Sequence, residues 1–314
     1  DENKVIDFLQ NLYKNGDSPN IAKATETLGN KLTDLWVKGS AYKLLNNYFN
    51  SEKTKLYMGM TVTESGPASI YDEGTAFTIP LMDSGSIFNG YWGFVKQGIW
   101  EITEKLDSIN RVLGVDTILS ANITGIDKDK KKIYLTNQEI DFDILVFATD
   151  PETPSFLLND DNSSKKILDK ELIGTSGKLT AFFKNPVRWK NNKNKDYDST
   201  FRFLFSNNNL NDFEKSSQNA KKNIIDYDPG YIQIYPEGAA QRKMGNFEKL
   251  DKLILFTKNF SFSKNASSLS KTKDEIISLL SNYIENIDDL VETIFLTPKD
   301  LNEKFYFPQG NIDH

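Results

Sequence analysis

The spacing of the apolar residues changes abruptly near residue 114, and this change limits the possible fold more than any other feature of the sequence. Over residues 1–58 apolar side chains recur at the spacing of amphipathic helices. A second helical stripe runs from Ile99 to Leu113, and Gly114 is placed to end that helix. After it come short runs rich in β-branched residues. The chain is therefore predicted to begin with helices and to continue into sheet.

The runs after residue 114 predict two groups of strands. Three runs separated by charged or polar turns predict the first group: "DTILSANITGI", "KKIYLTN" and "FDILVFATD". The third is apolar in its centre, which is typical of a strand covered on both faces. Beyond residue 151, four runs predict an antiparallel sheet: 178–185, 200–206, 230–236 and 252–260. A helix at about 272–287, a further strand and a helix starting at Thr297-Pro298 complete the prediction, and the intervals 159–166 and 206–222 are predicted to be exposed loops. The class is α+β (or α/β), with a mixed or antiparallel sheet and flanking helices.

Residues 59–90 have a different composition, with glycine, proline and serine throughout. This is typical of loops that hold short extended pieces. A loop of this length inside a compact domain is usually functional, so the segment is a candidate substrate wall.

Composition excludes several classes of site. The chain has no cysteine and one histidine, so within it disulfides, thiolate catalysis and the usual zinc sites are excluded, and we expect no metal. The net charge is −6 and no basic stripe is present, so no nucleic-acid partner is expected. The longest apolar run, 144–148, is too short to cross a bilayer. A cytoplasmic or peripheral membrane location fits these properties, and the sequence does not decide between them.

Nucleotide-binding loops are not found. The segment "GTSGKLT" at 174–180 lacks the spacing of a phosphate-binding loop, and no Gly-x-Gly-x-x-Gly follows a predicted strand. The sequence alone therefore contains no backbone cradle for a dinucleotide pyrophosphate.

Five stretches, taken in order, resemble the phytoene-dehydrogenase-like FAD-dependent oxidoreductases, which are related to the amine-oxidase group. They are "LLNNYFNSEKTKLYM" (44–58), "ESGPASIYDEGTAF" (64–77), "GYWGFVKQGIWEITEKL" (90–106), "DILVFATDPETPSFLL" (143–158) and "LTPKDLNEKFYFPQGNIDH" (296–314). Each stretch is weak evidence alone. Their common order over residues 44–314 is what makes the resemblance specific.

The resemblance implies a fold and a division of the chain. The fold would be the substrate domain of a glutathione-reductase-like FAD-binding fold. Residues 1–110 would be the helical and loop part of that domain, 111–155 strands associated with the FAD-binding domain, and 156–314 the substrate-domain sheet and helices. In such enzymes a GxGxxG segment precedes this region and a second flavin-binding segment follows it. We therefore expect a central fragment that needs flanking sequence to bind FAD and is inactive alone.

The resemblance also implies site residues, while leaving the catalytic residues unassigned. The expected cofactor contacts are Gly90, Trp92, Gly93, Gly98, Ile123, Ala148, Thr149 and Asp150. The expected substrate-pocket residues are Thr75, Phe77, Phe94, Asn311 and His314. Plain structural roles compete with each assignment. Trp92 and Phe94 could fill an interdomain core, Ile123 could be an ordinary strand residue, and Asn311 could cap a turn.

The sequence departs from the family pattern at one place. Where the family has Gly-Gly-Met-Gly, this chain has Gln97-Gly98-Ile99-Trp100. Two larger side chains there would crowd a backbone that must approach the flavin. Either the pocket serves another substrate, or this branch has lost catalysis.

Three functions follow from these observations. The first is a flavin-dependent oxidoreductase that transfers hydride to FAD from a C–H bond of an apolar, isoprenoid or lipidic small molecule, for which a membrane-surface location is compatible. The second is a non-catalytic binding or scaffold homologue without FAD. The third is an amine-oxidase-type enzyme, which the apolar and aromatic content of residues 64–100 disfavours.

Overall fold

The computed structural model describes residues 1–63, 68–84, 93–160, 173–192, 194–222, 224, 230–258 and 266–312. Its first part is helical, as predicted: α1 (Glu2–Asn15), α2 (Ile21–Leu32), α3 (Ala41–Tyr48) and α4 (Glu52–Gly59). The sequence sets the helix starts, because Asn20, Ser40 and Ser51 accept hydrogen bonds from first-turn N–H groups of α2, α3 and α4. A short 3-10 turn, Thr75–Phe77, leads into α5 (Thr78–Ser84).

A five-stranded antiparallel sheet forms the second part. Its strand order is β5-β6-β7-β4-β8. The strands are β4 (Gly177–Phe183), β5 (Arg202–Phe205), β6 (Tyr231–Tyr235), β7 (Asp251–Thr257) and β8 (Leu290–Leu296). The four runs predicted to form an antiparallel sheet are confirmed. Buried and less buried residues alternate strictly along β4 and β7. This is the period of a strand, so these two strands could be predicted from the sequence.

Each face of this sheet contacts helices. On one face, Leu179, Leu253 and Leu255 pack with Ile276 and Leu280 of α10 (Ala266–Ser281). On the other, Tyr231 joins a core to which α1 to α5 and the turns between them contribute. The α+β class is confirmed.

Three further helices each follow a strand of this sheet along the chain. They are α8 (Leu210–Lys221), α9 (Glu237–Lys243) and α11 (Pro298–Phe305). Helix α11 starts where Thr297-Pro298 predicted, with a reciprocal capping box between Thr297 and Asp300. The prediction of a loop over 206–222 is wrong, because α8 occupies most of it and buries Phe213 completely. Its buried side mixes Leu210 and Phe213 with Glu214 and Ser217, so the sequence shows no apolar stripe there.

Residues 100–157 carry a smaller layer. Helix α6 (Trp100–Val112) is followed by a three-stranded antiparallel sheet, β1 (Ile123–Asp127), β2 (Lys132–Leu135) and β3 (Glu139–Asp141), and by α7 (Glu152–Leu157). Helix α6 is confirmed, and Gly114, two residues after its last residue, is in the left-handed conformation with φ 79°.

The strand predicted over "FDILVFATD" is wrong. The third strand is the shorter β3, which precedes it, and residues 142–149 form no regular strand. An apolar run becomes a covered strand only if neighbours bond its backbone and pack on its faces. Here Ile144 and Val146 remain 84% and 80% exposed. Helix α6 likewise has no buried residue. This layer therefore presents an unusually apolar surface. Among the described residues, no helix has both the length and the apolar character needed to cross a membrane.

Candidate substrate cavity and cofactor groove

An aromatic cavity of about 420 Å³ lies where the sheet meets helices α4 and α5. The residues lining it are Tyr57, Met58, Met60, Thr61, Ile79, Met82, Phe201, Phe203, Gln233 and Tyr235. Three of the chain's four methionines are in this wall. Methionine is flexible and polarisable, so this wall can adapt to an irregular apolar ligand.

Sheet geometry places the aromatic floor of the cavity. Phe203 of β5 lies directly opposite Gln233 of β6, and Tyr235 is two residues further along the same strand. Residues two apart point to the same face, so Gln233 and Tyr235 both project into the cavity. Tyr231 continues this row into the core, where its hydroxyl donates to the Met60 carbonyl at 3.2 Å. The floor is thus held by backbone pairing and by a buried hydrogen bond.

Few polar groups face the cavity. The Gln233 amide is buried, and its Oε1 accepts a hydrogen bond of 2.6 Å from the Tyr235 hydroxyl. On the opposite wall, the Thr61 hydroxyl lies 3.3 Å from that of Thr78. An apolar wall with a small number of fixed polar groups is the usual composition of a small-molecule site.

Phe94 is connected to this cavity through stacked rings. Its ring meets Phe201 edge-on with centroids 5.2 Å apart, and Phe201 meets Tyr235 with centroids 4.9 Å apart. Phe201 and Tyr235 line the cavity, and Phe94 lies behind them. The predicted substrate-pocket residue Phe94 is therefore one ring removed from the cavity wall.

The departure from the family pattern forms a tight turn. Gln97 has φ 72° and Gly98 has φ 136°, both in the region that favours glycine. The Trp100 indole N–H donates to the Gln97 carbonyl at 3.2 Å. A Cβ built on Gly98 would lie 2.7 Å from the indole ring. Trp100 therefore covers the Gly98 backbone on the side where a side chain would project.

An open groove of about 780 Å³ brings together four of the predicted cofactor residues: Ile123, Ala148, Thr149 and Asp150. Its walls come from residues 121–126, from 145–157 and from the end of α11. Several apolar side chains on it are exposed, with Tyr306 at 85% and Phe156 at 77%. Residues from two of the stretches that resemble the family, 143–158 and 296–314, therefore share this surface with residues 121–126.

Asp150 has a structural role in the groove. Its carboxylate accepts bonds from the Glu152 and Thr153 N–H groups at 2.8 and 3.0 Å, and from the Thr153 hydroxyl at 2.6 Å. Partial burial raises the pKa of the Asp150 carboxyl, but these hydrogen bonds outweigh burial and hold the pKa below its ordinary value. The Asp150 carboxylate thus fixes the start of α7, and Thr149 remains exposed beside it.

Asn311 follows the 3-10 turn Pro308–Gly310 and is buried. Pro308 lines the groove, and the Asn311 N–H donates to its carbonyl at 2.9 Å. The segment beside this turn is tightly packed, since the Gly174 N–H donates to the Gln309 carbonyl at 3.1 Å. Asn311 is therefore held next to Pro308 of the groove but does not itself line the groove.

The other predicted residues do not meet at one point. Thr75 ties the 3-10 turn to α3, because its hydroxyl accepts from the Ala41 N–H at 3.0 Å. Phe77 is partly buried against the helical core. Neither lines the described cavity wall, which is formed instead by Ile79 and Met82 just after them. Gly93 is described and precedes Phe94. Gly90, Trp92 and His314 lie outside the described residues.

The sequence prediction missed the cavity floor. Gln233 is a lone amide between apolar neighbours in "GYIQIYP", and this polar position on a buried strand was the available signal. Phe201, Phe203 and Tyr235 gave only an ordinary strand pattern. Within the described ranges, no three His, Asp or Glu side chains are grouped in a way that could hold a metal ion.

Comparison with known proteins gives a fold relationship. No protein-family model matches the chain, and no curated protein matches it. The crystal structure of the PF1083 protein from Pyrococcus furiosus is similar, with a TM-score of 0.55 and 12% identical residues. The match covers 82% of this chain and 57% of the PF1083 chain. This chain thus spans little more than half the length of that structure. At so low an identity, the likeness concerns the fold alone.

Proposed function

We propose that this chain is the substrate-side part of a phytoene-dehydrogenase-like, FAD-dependent oxidoreductase acting on an apolar small molecule. The observation that carries the proposal is the open groove. Ile123 and the Ala148–Asp150 segment are about 25 residues apart in sequence, the resemblance implies cofactor contacts for both, and they line one surface. An exposed apolar surface of this kind favours a binding role.

The groove residues fit one edge of a flat, partly apolar cofactor. The exposed Ala148 and Thr149 offer little side-chain bulk, and Ile123 offers an apolar contact. We propose that the FAD site is completed by further polypeptide covering this groove. When bound, FAD supplies the hydride acceptor. The residues of this chain bind the substrate, orient it and exclude water.

The aromatic cavity is the proposed substrate site. Its wall of methionine and aromatic side chains binds an apolar chain by surface burial, which contributes about 25 cal/mol for each Å² removed from water. The Gln233–Tyr235 pair is the fixed polar point of the wall and sets the substrate's orientation. This composition favours an isoprenoid or lipidic substrate over a polar amine.

One observation favours the second candidate, a non-catalytic homologue. The Trp100 indole lies against Gly98, where the family pattern has small residues. If the indole stays there, it blocks close approach of a flat ring to that backbone. A folded protein from the complete natural reading frame that binds apolar ligands but not FAD would support this candidate.

Groove substitutions test the proposal. We expect Ala148→Arg to weaken FAD binding, because a long charged side chain would enter the groove. Val112→Arg on α6 is the matched control, since Val112 is 88% exposed and does not line the groove. FAD binding is measured by titration against the protein from its complete natural reading frame. Equal FAD affinity of the two variants would refute the groove assignment.

A further inference from the structure

We propose that Gln241 is a positioning residue that fixes the backbone of residues 95–97, so that Phe94 keeps its place against Phe201 of the cavity wall and Gly98 keeps its place in the turn. This inference rests on the proposed function only in giving that loop a role near the flavin. The contacts themselves involve described residues alone.

The Gln241 side chain bonds the loop backbone as a neighbouring strand would. Its Oε1 accepts from the Gln97 N–H at 2.7 Å, and its Nε2 donates to the Val95 carbonyl at 2.8 Å. Gln241 is 1% exposed, so both bonds are shielded from water. Two opposed bonds from one planar amide hold both the position and the orientation of the loop.

The orientation of this amide is fixed from its other side. Its Nε2 also donates to Glu237 Oε1 at 2.7 Å, and Asn246 Nδ2 donates to its Oε1 at 3.1 Å. A glutamine amide has two N–H donors and two acceptor positions, and all four are used here. Exchanging the nitrogen and oxygen would break every one of these bonds.

The helix that carries Gln241 is anchored to the large sheet. Arg242 forms an ion pair with the buried Asp251 at the start of β7. A Cβ on Gly238 would lie 1.6 Å from Asp251 Oδ1, so only glycine allows α9 this close to β7. Asp251 also accepts the Val187 N–H at 2.7 Å. The Gln241 amide therefore links residues 95–97 to the large sheet through α9.

The loop needs this support because Gln97 is in a left-handed conformation, with φ 72°. Residues other than glycine rarely adopt this region, and they persist there when the surroundings hold them. The family pattern has glycine at this place. In this chain the Gln241 amide of α9 holds Gln97 in the left-handed conformation, which a glycine would adopt without such support.

Loss of the amide should be detectable without any cofactor. We expect Gln241→Leu, which keeps a comparable size, to increase hydrogen exchange of peptides covering 93–99 by roughly tenfold to a hundredfold, as expected for losing buried hydrogen bonds. Gln218→Leu is the matched control, since Gln218 donates to Glu214 four residues earlier, as Gln241 does to Glu237, but holds no loop. If both variants leave the exchange of 93–99 unchanged, the proposal is overturned.

A second variant separates positioning from general stability. In the Gln241→Leu background, Gln97→Gly should restore FAD affinity of the complete natural protein, because glycine adopts the left-handed conformation unaided. The expected loss for Gln241→Leu alone is about tenfold or more, equivalent to one lost buried hydrogen bond. Failure of Gln97→Gly to restore the affinity would contradict the claim that the loop needs Gln241 because Gln97 is left-handed. If the unsubstituted protein binds no FAD, the proposed function fails, and the exchange experiment alone decides the role of Gln241.

Discussion

Phe201 is the central ring of the series that joins Phe94 to the cavity, and Phe201→Leu measures what that series contributes. Leucine keeps most of the apolar area but removes two edge-on ring contacts, at 5.2 and 4.9 Å. Each aromatic pair contributes about 0.5–1.5 kcal/mol beyond burial, so we expect the free energy of unfolding to fall by about 1–3 kcal/mol. Phe247→Leu is the control: Phe247 is 77% exposed, and its replacement should change stability by no more than about 0.5 kcal/mol.

The assay is denaturant unfolding of both variants and of a double-mutant cycle between Phe201→Leu and Phe94→Leu. The coupling energy in that cycle should be about 0.5–1.5 kcal/mol, since only one ring pair is shared. The refuting results are a Phe201→Leu protein as stable as Phe247→Leu, or additive effects of the two substitutions. Either would mean that Phe94 is not fixed against the cavity wall.

Three further predictions concern single contacts. Thr297→Ala removes the capping box of α11 and should lower the free energy of unfolding by about 1 kcal/mol, whereas Thr297→Ser, which keeps the hydroxyl, should not. Gly238→Ala should lower the free energy of unfolding by about 1–3 kcal/mol through overpacking. Gly125→Ala, whose Cβ would lie 3.8 Å from Tyr134, should be close to neutral. Equal thermal midpoints of the two variants would contradict this prediction. The folded pKa of Asp150 lies below its unfolded value of about 3.9, so its stabilisation is complete above that value and is lost as pH falls through the folded pKa. Asp150→Asn should therefore be less stable at neutral pH, with a difference that shrinks at acid pH, and a pH-independent difference in unfolding experiments would contradict this assignment.

Local pattern was sufficient for much of the fold. The strands β4 and β7 alternate buried and less buried residues, and Thr297-Pro298 with Asp300 is a complete helix-start signal. These features depend on neighbours in sequence, so they were predictable. Helix α8 was missed because its polar residues outnumber the apolar ones that it buries.

Contacts between distant segments were not predictable from the sequence. The apolar run at 144–148 predicted a covered strand, but whether it is covered depends on what packs against it. The bonds from Gln241 to Val95 and Gln97 cross about 145 residues and leave no local pattern. The same applies to Gln233, whose role appears only when β5 and β6 pair. The resemblance named Ile123 and Ala148 through Asp150 as cofactor contacts, and the structure places them on one groove, while their contact with a cofactor stays a prediction.

The central proposal is that this chain provides substrate-binding walls for FAD chemistry. Its most direct test is the flavin content of the purified full-length natural protein, measured by absorbance and by identification of the released nucleotide. The account predicts an amount of bound FAD equimolar with the chain. A folded, colourless protein that takes up no FAD on reconstitution would contradict it.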